Sequence, residues 1–351
     1  MAEDTLSALL ARIESPDPRL ALGVQARLDR LTKPSGSLGR LEELVLRAGL
    51  ITGSETPRVA APVIFTLAAD HGVAAEGVSA YPQAVTAQMV ENFCRGGAGV
   101  NVLARRAGAR VVIADFGVAT ALSPHPELVD RKVASGTANF ARGPAMSRAQ
   151  ALAAIAAGAE LVAAAAPDCV GTGEMGIANT TAASALTAAL TGADAAAVTG
   201  RGTGVDDAGL ARKVAVVRRA LAVNRPDPRD PLEILAALGG FEIAGLVGVV
   251  LAGAARRVPV VLDGFIATAA ALVAVRLHAA TRDYLLAAHR SAEPGHRILL
   301  ETLGLAPYLD LGMRLGEGTG AALAITLLRS ALACLDEMAT FKEAGVSERS
   351  P

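Results

Sequence analysis

Short apolar runs rich in β-branched residues alternate with alanine-rich stretches of helical length from residue 62 onwards. The runs that qualify as strands lie at residues 63–69, 110–116, 169–171, 195–199, 258–262 and 284–288. Apolar strands separated by helices are typical of a parallel sheet that helices cover on both faces. The alternation therefore predicts an α/β fold with a doubly wound parallel sheet of about six strands. Before residue 62 the pattern predicts helices at residues 5–14, 18–31 and 41–51.

Composition narrows the class of protein. The 351 residues are 52% apolar and carry a formal net charge of -1, which fits a well-buried globular protein with one large domain and an appendage, or with two domains. The balanced charge gives no support for a nucleic-acid partner. The apolar segments at residues 243–255 and 265–275 are too short to span a bilayer, and Arg329 interrupts the C-terminal one, so no membrane span is predicted.

The start of the chain and the cysteines bear on location and metal binding. The acidic start lacks the apolar core of a signal peptide, and three scattered cysteines fit a reduced cytoplasm. Asp70 and His71 follow the first predicted strand and invite a metal or general-base interpretation. With five histidines and no clustered pair in the sequence, however, no metal site is predicted.

Glycines and polar residues follow each predicted strand, at the edge where open parallel sheets bind ligands. Residues 171–176 match the dinucleotide pattern G-x-G-x-x-G, but Glu174 would oppose a pyrophosphate, and Arg201 stands where an acid would bind the ribose. Asn179 and Thr180 could begin a helix whose N-terminus receives a phosphate, or could simply cap that helix. Asp263 could contact a ribose hydroxyl or cap the helix that follows it.

Two glycine-rich segments offer further candidates. In LGEGTG at residues 315–320, Glu317 could lie at the mouth of a pocket, beside a helix that starts at Gly318, or could belong to an ordinary tight turn. In KPSGSLGR at residues 33–40, backbone amides could cradle a phosphate between Lys33 and Arg40. The alternative for this second segment is a loop with a helix cap from Ser37.

Longer motifs carry a resemblance to a known family. They are KPSGSLGRLE at residues 33–42, ADHGV at 69–73, EGV at 76–78, VTAQ at 85–88, GEMGIANTT at 173–181, VVLDGF at 260–265, SAE at 291–293 and MRLGEGTGAA at 313–322. Together they resemble the nicotinate-nucleotide:dimethylbenzimidazole phosphoribosyltransferase family, in register from about residue 25 to 335. The resemblance implies a cytoplasmic homodimer with a Rossmann-like catalytic domain at residues 56–320. It also implies a small helical domain built from both chain ends, residues 1–55 and 321–351.

The resemblance implies a reaction without a cofactor or metal. Phosphoribose moves from nicotinate mononucleotide to 5,6-dimethylbenzimidazole, giving nicotinate and α-ribazole 5′-phosphate for the lower ligand of cobalamin. Glu317 matches the general base of this inverting displacement. The positions that match the base pocket are Tyr81, Gln88, Met175 and Leu315, each of which could equally be ordinary core. The positions that match the phosphoribosyl site are Glu174, Gly176, Asn179, Thr180, Lys213, Asp263, Ser291 and Gly316, although Lys213 could instead belong to a solvated helix face.

Departures from the family pattern leave the acceptor open. The segment GVSAY at residues 77–81 borders the base pocket, and residues 200–204 are richer in glycine than the family pattern. Adenine, another benzimidazole or a phenol could therefore be the acceptor. Two rivals come from other classes: a nucleotide-binding protein that has kept the fold without turnover, and a dinucleotide-dependent oxidoreductase that uses residues 171–176.

Overall fold

Six parallel strands form one sheet in the computed structural model, which describes residues 2–347. The strands are β1 Pro62–Ala69, β2 Arg110–Gly117, β3 Leu128–Asp130, β4 Cys169–Met175, β5 Val260–Leu262 and β6 Leu285–Ala287. Their order is β3-β2-β1-β4-β5-β6, and every neighbouring pair is parallel. This is the doubly wound order whose direction reverses between β1 and β4, where such sheets bind ligands. The predicted fold class is confirmed.

Helices cover both faces of the sheet. Their bounds are α1 Ala2–Leu10, α2 Leu20–Asp29, α3 Arg40–Thr52, α4 Val85–Cys94, α5 Gly99–Ala107, α6 Arg148–Ala165, α7 Asn179–Thr191, α8 Ala195–Val198, α9 Asp207–Asn224, α10 Pro231–Leu238, α11 Phe241–Ala255, α12 Phe265–Leu277, α13 Pro294–Leu303, α14 Thr319–Glu337 and α15 Phe341–Ala344. One apolar core joins α1, α6, α7 and α9–α13 to one face, and a second joins α2–α5 and α14 to the other.

One predicted strand is wrong and one strand was missed. Residues 195–199 contain the short helix α8, which begins because the side chain of Asp194 accepts a hydrogen bond from the backbone N–H of Ala196. The sheet position beside β4 belongs to β5 instead. The missed strand, β3, lies at the edge of the sheet, and its three residues are half-buried or exposed and end in an aspartate, so it lacks the apolar run that marks the buried three-residue strands β5 and β6.

The two ends of the chain meet on one face. α3 packs against α14, Leu31 and Thr340 form an isolated antiparallel bridge, and Arg58 pairs with Asp336. α1, in contrast, packs on the opposite face against α6 and α11. The predicted small helical domain stays a prediction, and its proposed boundary at residue 321 falls inside α14. Met1 and residues 348–351 of that predicted domain lie outside the described residues.

Two helices, α6 and α14, are long and apolar enough to cross a bilayer by length and composition alone. α6 packs along α11, while α14 packs against β4, β5 and α5. The shorter apolar helices α11 and α12 are almost completely buried in the same core. α11 and α12 therefore lie in the core of the α/β fold, while 44% of the apolar window of α6 and 56% of that of α14 are buried.

Candidate active site

A cavity of about 340 Å³ opens at the carboxyl ends of β4, β5 and β6. Most of the residues predicted for the site line it, namely Tyr81, Glu174, Met175, Gly176, Asn179, Thr180, Ser291, Leu315 and Gly316. Four predicted residues are not part of this lining: Gln88, Lys213, Asp263 and Glu317. The parallel sheet explains the grouping, because loops that are distant in sequence leave the same edge.

Glu317 sits in an unusual turn directly before α14. Three consecutive residues have left-handed backbones, with φ of 82° at Gly316, 66° at Glu317 and 101° at Gly318. A left-handed conformation is unfavourable for a residue with a side chain, so the surrounding contacts must hold Glu317 in place. One such contact is the hydroxyl of Thr66, which donates to the Glu317 carbonyl at 2.9 Å. β4 also approaches closely, since a Cβ at Gly173 would lie 2.2 Å from that carbonyl oxygen.

The Glu317 carboxylate reaches the N-terminus of α5. Its Oε2 accepts a hydrogen bond from the backbone N–H of Val100 at 3.2 Å, and the side chain is buried. Burial raises the pKa of Glu317, while the N–H groups of Val100 and Gly99 oppose that rise. The net result is a buried carboxylate that is more basic than usual and adjoins two residues of the cavity lining, Leu315 and Gly316.

Asp263 caps a helix that is distant in sequence. Its Oδ2 accepts from the N–H of Gly318 at 3.0 Å, and its Oδ1 accepts from Gly320 at 2.6 Å and Ala321 at 3.2 Å. The carboxylate therefore holds the N-terminus of α14, not the helix α12 that follows it in sequence. Burial is the main cause that raises its pKa to about 7, against the three backbone donors. The geometry supports a capping role that fixes the turn carrying Glu317.

Glu174 and Asn179 pair with each other at the switch point of the sheet. The amide of Asn179 donates to Oε2 of Glu174, so Asn179 does not cap α7, and no side chain caps that helix. The N–H of Asn179 bonds the carbonyl of Gly176 at 3.1 Å and the N–H of Thr181 bonds that of Ala178 at 2.9 Å, so what α7 offers an anion is chiefly the positive end of its dipole. Burial, and next to it the carboxylates of Glu242 and Asp263, raise the pKa of Glu174 to about 8.

Lys213 lies immediately behind the cavity wall. Its Nζ donates to the hydroxyl of Thr180 at 3.0 Å, and the residue is only 1% exposed. Burial lowers the pKa of Lys213 to about 8. The alternative of a solvated helix face is therefore wrong for Lys213. At the mouth of the cavity, by contrast, Tyr81 and Leu315 are largely exposed, and Gln88 is an exposed residue of α4.

Several lining residues were not predicted. They are Ile177, Gly202, Thr203, Gly264, Phe265, Ile266, His289, Glu293 and Arg314. Glu293 and Arg314 lie inside motifs that carried the resemblance, close to predicted site residues, and that position in the sequence could have identified them. Gly202 and Thr203 fall within residues 200–204, which were treated as a departure because they are richer in glycine than the family pattern.

Other sequence candidates prove to be structural. Residues 171–176 fall mostly along β4 instead of forming a loop before a helix, so the dinucleotide interpretation loses its structural context. In the N-terminal motif, Lys33 pairs with Glu42 at 2.9 Å in the interior. Arg40 donates to the carbonyls of Pro307 and Ala306 and lies over the ring of Tyr308. This motif thus ties α3 to the segment that leads to Glu317.

Comparisons with known proteins agree with this geometry. A family model described as "Phosphoribosyltransferase" matches residues 13–346. The nicotinate-nucleotide–dimethylbenzimidazole phosphoribosyltransferase of Roseiflexus sp. (strain RS-1) is 59% identical over 97% of this chain and 98% of that protein. The protein of the same name from Desulforudis audaxviator is 56% identical over 98% of this chain and 99% of that protein.

Solved structures point the same way. The crystal structure of CobT from Thermus thermophilus superposes with a TM-score of 0.90 at 50% identity, covering 94% of this chain and all of that one (100%). Cavity, fold and full-length similarity therefore agree, and the chain belongs to the nicotinate-nucleotide–dimethylbenzimidazole phosphoribosyltransferase family.

Proposed function

We propose that this protein transfers phosphoribose from nicotinate mononucleotide to 5,6-dimethylbenzimidazole, giving nicotinate and α-ribazole 5′-phosphate for the lower ligand of cobalamin. The names of its relatives supply the reaction. The observation that carries the proposal is the placement of Glu317. A buried carboxylate with a raised pKa stands beside a cavity of about 340 Å³, in a turn that three other elements hold in place.

The chemistry needs one base and no acid. The bond between C1′ of the ribose and the pyridinium nitrogen breaks, and nicotinate leaves with a neutral ring nitrogen. One ring nitrogen of dimethylbenzimidazole forms the new bond to C1′, while the proton on the other nitrogen passes to Glu317. Attack from the face opposite the leaving group converts the β-nucleotide into the α-product. A raised pKa suits Glu317 to this role, because general bases work best when their pKa approaches the working pH.

The donor's phosphoribosyl group occupies the floor of the cavity in this proposal. The uncapped N-terminus of α7 and the ammonium of Lys213 supply positive potential for the phosphate. The hydroxyls of Thr180 and Ser291 and the backbone at Gly176 and Gly316 complete this phosphate subsite. Glu174 lies beside it, where its carboxyl group can meet the cationic pyridinium ring or a ribose hydroxyl.

The acceptor occupies the mouth. Tyr81, Met175 and Leu315 offer a flat and apolar surface beside Glu317, and Gln88 offers an amide on the neighbouring helix α4. This surface does not distinguish dimethylbenzimidazole from another planar base, so adenine, other benzimidazoles and phenols are the alternative acceptors. We also propose a cytoplasmic homodimer, and the exposed apolar side chains of Leu311 and Leu315 near the mouth support burial against a second chain.

The test is a product assay with purified protein, nicotinate mononucleotide and dimethylbenzimidazole, followed by chromatography of nicotinate and α-ribazole 5′-phosphate. Glu317→Gln keeps the shape and the bond from Val100 but removes the base, so we expect a loss of about a hundredfold or more in kcat. Glu301→Gln, on the exposed face of α13, is the matched control and should behave like wild type.

Each negative outcome has a distinct meaning. Wild type without product from dimethylbenzimidazole would direct the assay to adenine, other benzimidazoles and phenols. No turnover with any acceptor would favour a nucleotide-binding protein without catalysis. Full activity of the Glu317→Gln variant would exclude Glu317 as the base.

A further inference from the structure

Gly202 forms part of the cavity wall, and two side chains bind both of its backbone polar groups. Its N–H donates to Oε1 of Glu293 at 2.9 Å, and its carbonyl accepts from Nη1 of Arg314 at 2.9 Å. Glu293 is 7% exposed and sits directly before α13. A buried carboxylate that accepts a backbone N–H gives a strong bond, because charge-assisted hydrogen bonds exceed neutral ones.

The backbone of Gly202 packs directly against two residues of the proposed phosphate subsite. A Cβ at this position would lie 2.6 Å from the hydroxyl oxygen of Thr180 and 2.8 Å from Nζ of Lys213. Gly200 makes a similar approach on the other side, since a Cβ there would lie 2.1 Å from Oε2 of Glu293. The loop is therefore wedged between Glu293 and the Thr180–Lys213 pair, and a shift of Gly202 would change the space beside both phosphate ligands.

We propose that Glu293 is a positioning residue for the donor's phosphate. By holding the amide of Gly202, it fixes the distance between this loop and the hydroxyl and ammonium that bind the phosphate. Glu293 is not a phosphate ligand itself, because its carboxylate would repel the anion. The inference rests on the proposed function, since it assigns the residue to the donor side of that reaction and not to the acceptor side.

Two variants of Glu293 test whether its hydrogen bond to Gly202 is needed, or only the packing of its side chain. Glu293→Gln keeps an oxygen that can accept from Gly202, whereas Glu293→Ala leaves that N–H without its acceptor. Losing a hydrogen bond to a charged group corresponds to about tenfold or more in affinity, so Glu293→Ala should raise KM for nicotinate mononucleotide by about that factor. We expect KM for dimethylbenzimidazole to stay within about twofold in the same variant, and Glu293→Gln to restore the donor KM to within about threefold of wild type.

A glycine pair supplies an independent test with its own control. Gly202 and Gly204 both have left-handed backbones, with φ of +52° and +105°, but a Cβ at Gly204 meets nothing within 4 Å. Gly202→Ala should therefore raise the donor KM through its contact with Thr180 and Lys213. Gly204→Ala carries at least as much backbone strain without that contact, so its donor KM should change little.

The outcomes separate this inference from the proposed function. An unchanged donor KM in Glu293→Ala would overturn the inference, as would equal increases for both substrates that Glu293→Gln fails to reverse. If wild type gave no product, the proposed function would fail first. Calorimetric binding of nicotinate mononucleotide to the same variants would then still test the positioning role, and equal affinities for wild type and Glu293→Ala would refute it. If Glu293→Ala does not fold, Glu293→Asp takes its place, because it keeps the charge but draws the carboxylate away from Gly202, and an unchanged donor KM in that variant would overturn the inference.

Discussion

Asp263 offers a perturbation whose effects on stability and on activity should diverge. In Asp263→Asn, the remaining amide oxygen can still accept from Gly320 and Ala321, because one oxygen serves both in the wild type. The amide nitrogen then faces the N–H of Gly318, so one charge-assisted bond worth about 1.5–3 kcal/mol is lost. This bond holds the peptide that joins Glu317 to Gly318.

Removing the buried charge offsets part of that loss. Burial raises the pKa of Asp263 from 3.8 to about 7, which amounts to a cost of about 4 kcal/mol for the ionised form in the folded protein. The folded state therefore binds the proton more tightly than the unfolded state, and stability from this group is lost as pH rises from about 4 through 7. At pH 5 Asp263 is mostly protonated in the folded protein, so Asp263→Asn replaces one neutral group with another and should lie within about 2 kcal/mol of wild type; between pH 5 and 8, where wild type ionises, the variant should lose less stability.

Activity should respond differently. With the Glu317–Gly318 peptide released, the left-handed turn can relax and move the carboxylate by a fraction of an ångström or more. Misplacement of about 1 Å costs about a hundredfold in rate, so we expect kcat at pH 8 to fall by about that factor. The assays are urea denaturation at pH 5 and 8 and the product assay at pH 8.

A capping control separates the local effect from general loss of a helix cap. Asp230 caps α10 by accepting from Leu232 and Glu233, both at 3.0 Å, and lies outside the cavity lining. Asp230→Asn should cost about 1 kcal/mol at most in stability and leave kcat unchanged. Wild-type kcat in Asp263→Asn at pH 8, with the protein folded, would refute the idea that Asp263 positions Glu317.

Three further predictions concern the carboxylates and the core. Relative to wild type, Glu174→Gln should be more stable at pH 9 than at pH 5 when the unliganded proteins are unfolded in urea. The raised pKa of Glu174 makes wild-type stability fall as pH rises from about 4.5 through 8, and the variant lacks this loss. Parallel curves of stability against pH for the two proteins would contradict this. Gly158→Ala should lower the free energy of unfolding by about 2 kcal/mol or more, because the new Cβ would lie 2.0 Å from the carbonyl oxygen of Gly245, where α6 packs on α11. The control Gly143→Ala places its Cβ in open space and should change the free energy of unfolding by about 0.5 kcal/mol at most in thermal denaturation. In the pH profile of kcat/KM, the acidic limb should have an apparent pKa above the usual glutamate value, because Glu317 must be ionised to act as the base. An identical acidic limb in Glu317→Gln would exclude that assignment.

The sheet was predictable because its signal is local. Apolar β-branched runs gave β1, β2, β4, β5 and β6, and the glycines and polar residues behind them indicated the edge where the cavity lies. Local signals failed where they were ambiguous. The run at residues 195–199 suits a strand or a helix by composition; in the structure Asp194 caps it as the helix α8, and β5 occupies the place beside β4.

The motifs located most residues of the candidate site, but they did not show what each residue contacts. Asn179 was expected either to begin a helix that receives a phosphate or simply to cap that helix; it is the first residue of α7, and its amide is paired with Glu174. Asp263 was expected to contact ribose or cap the next helix, yet it caps α14, which lies more than fifty residues further along the chain. In both cases the partner comes from another element, and no pattern within one segment can specify it.

By itself the sequence determined the fold class, the family and the region of the cavity, because periodicity, composition and long motifs are properties of contiguous residues. Only the tertiary structure decided the strand order, the pairing of buried carboxylates with particular backbone donors, and the wedge of Gly202 between Glu293 and Lys213. The physical reason is the same for each. A buried polar group must find its partner wherever the packed core places one, and that place is set by the whole sheet and its helices.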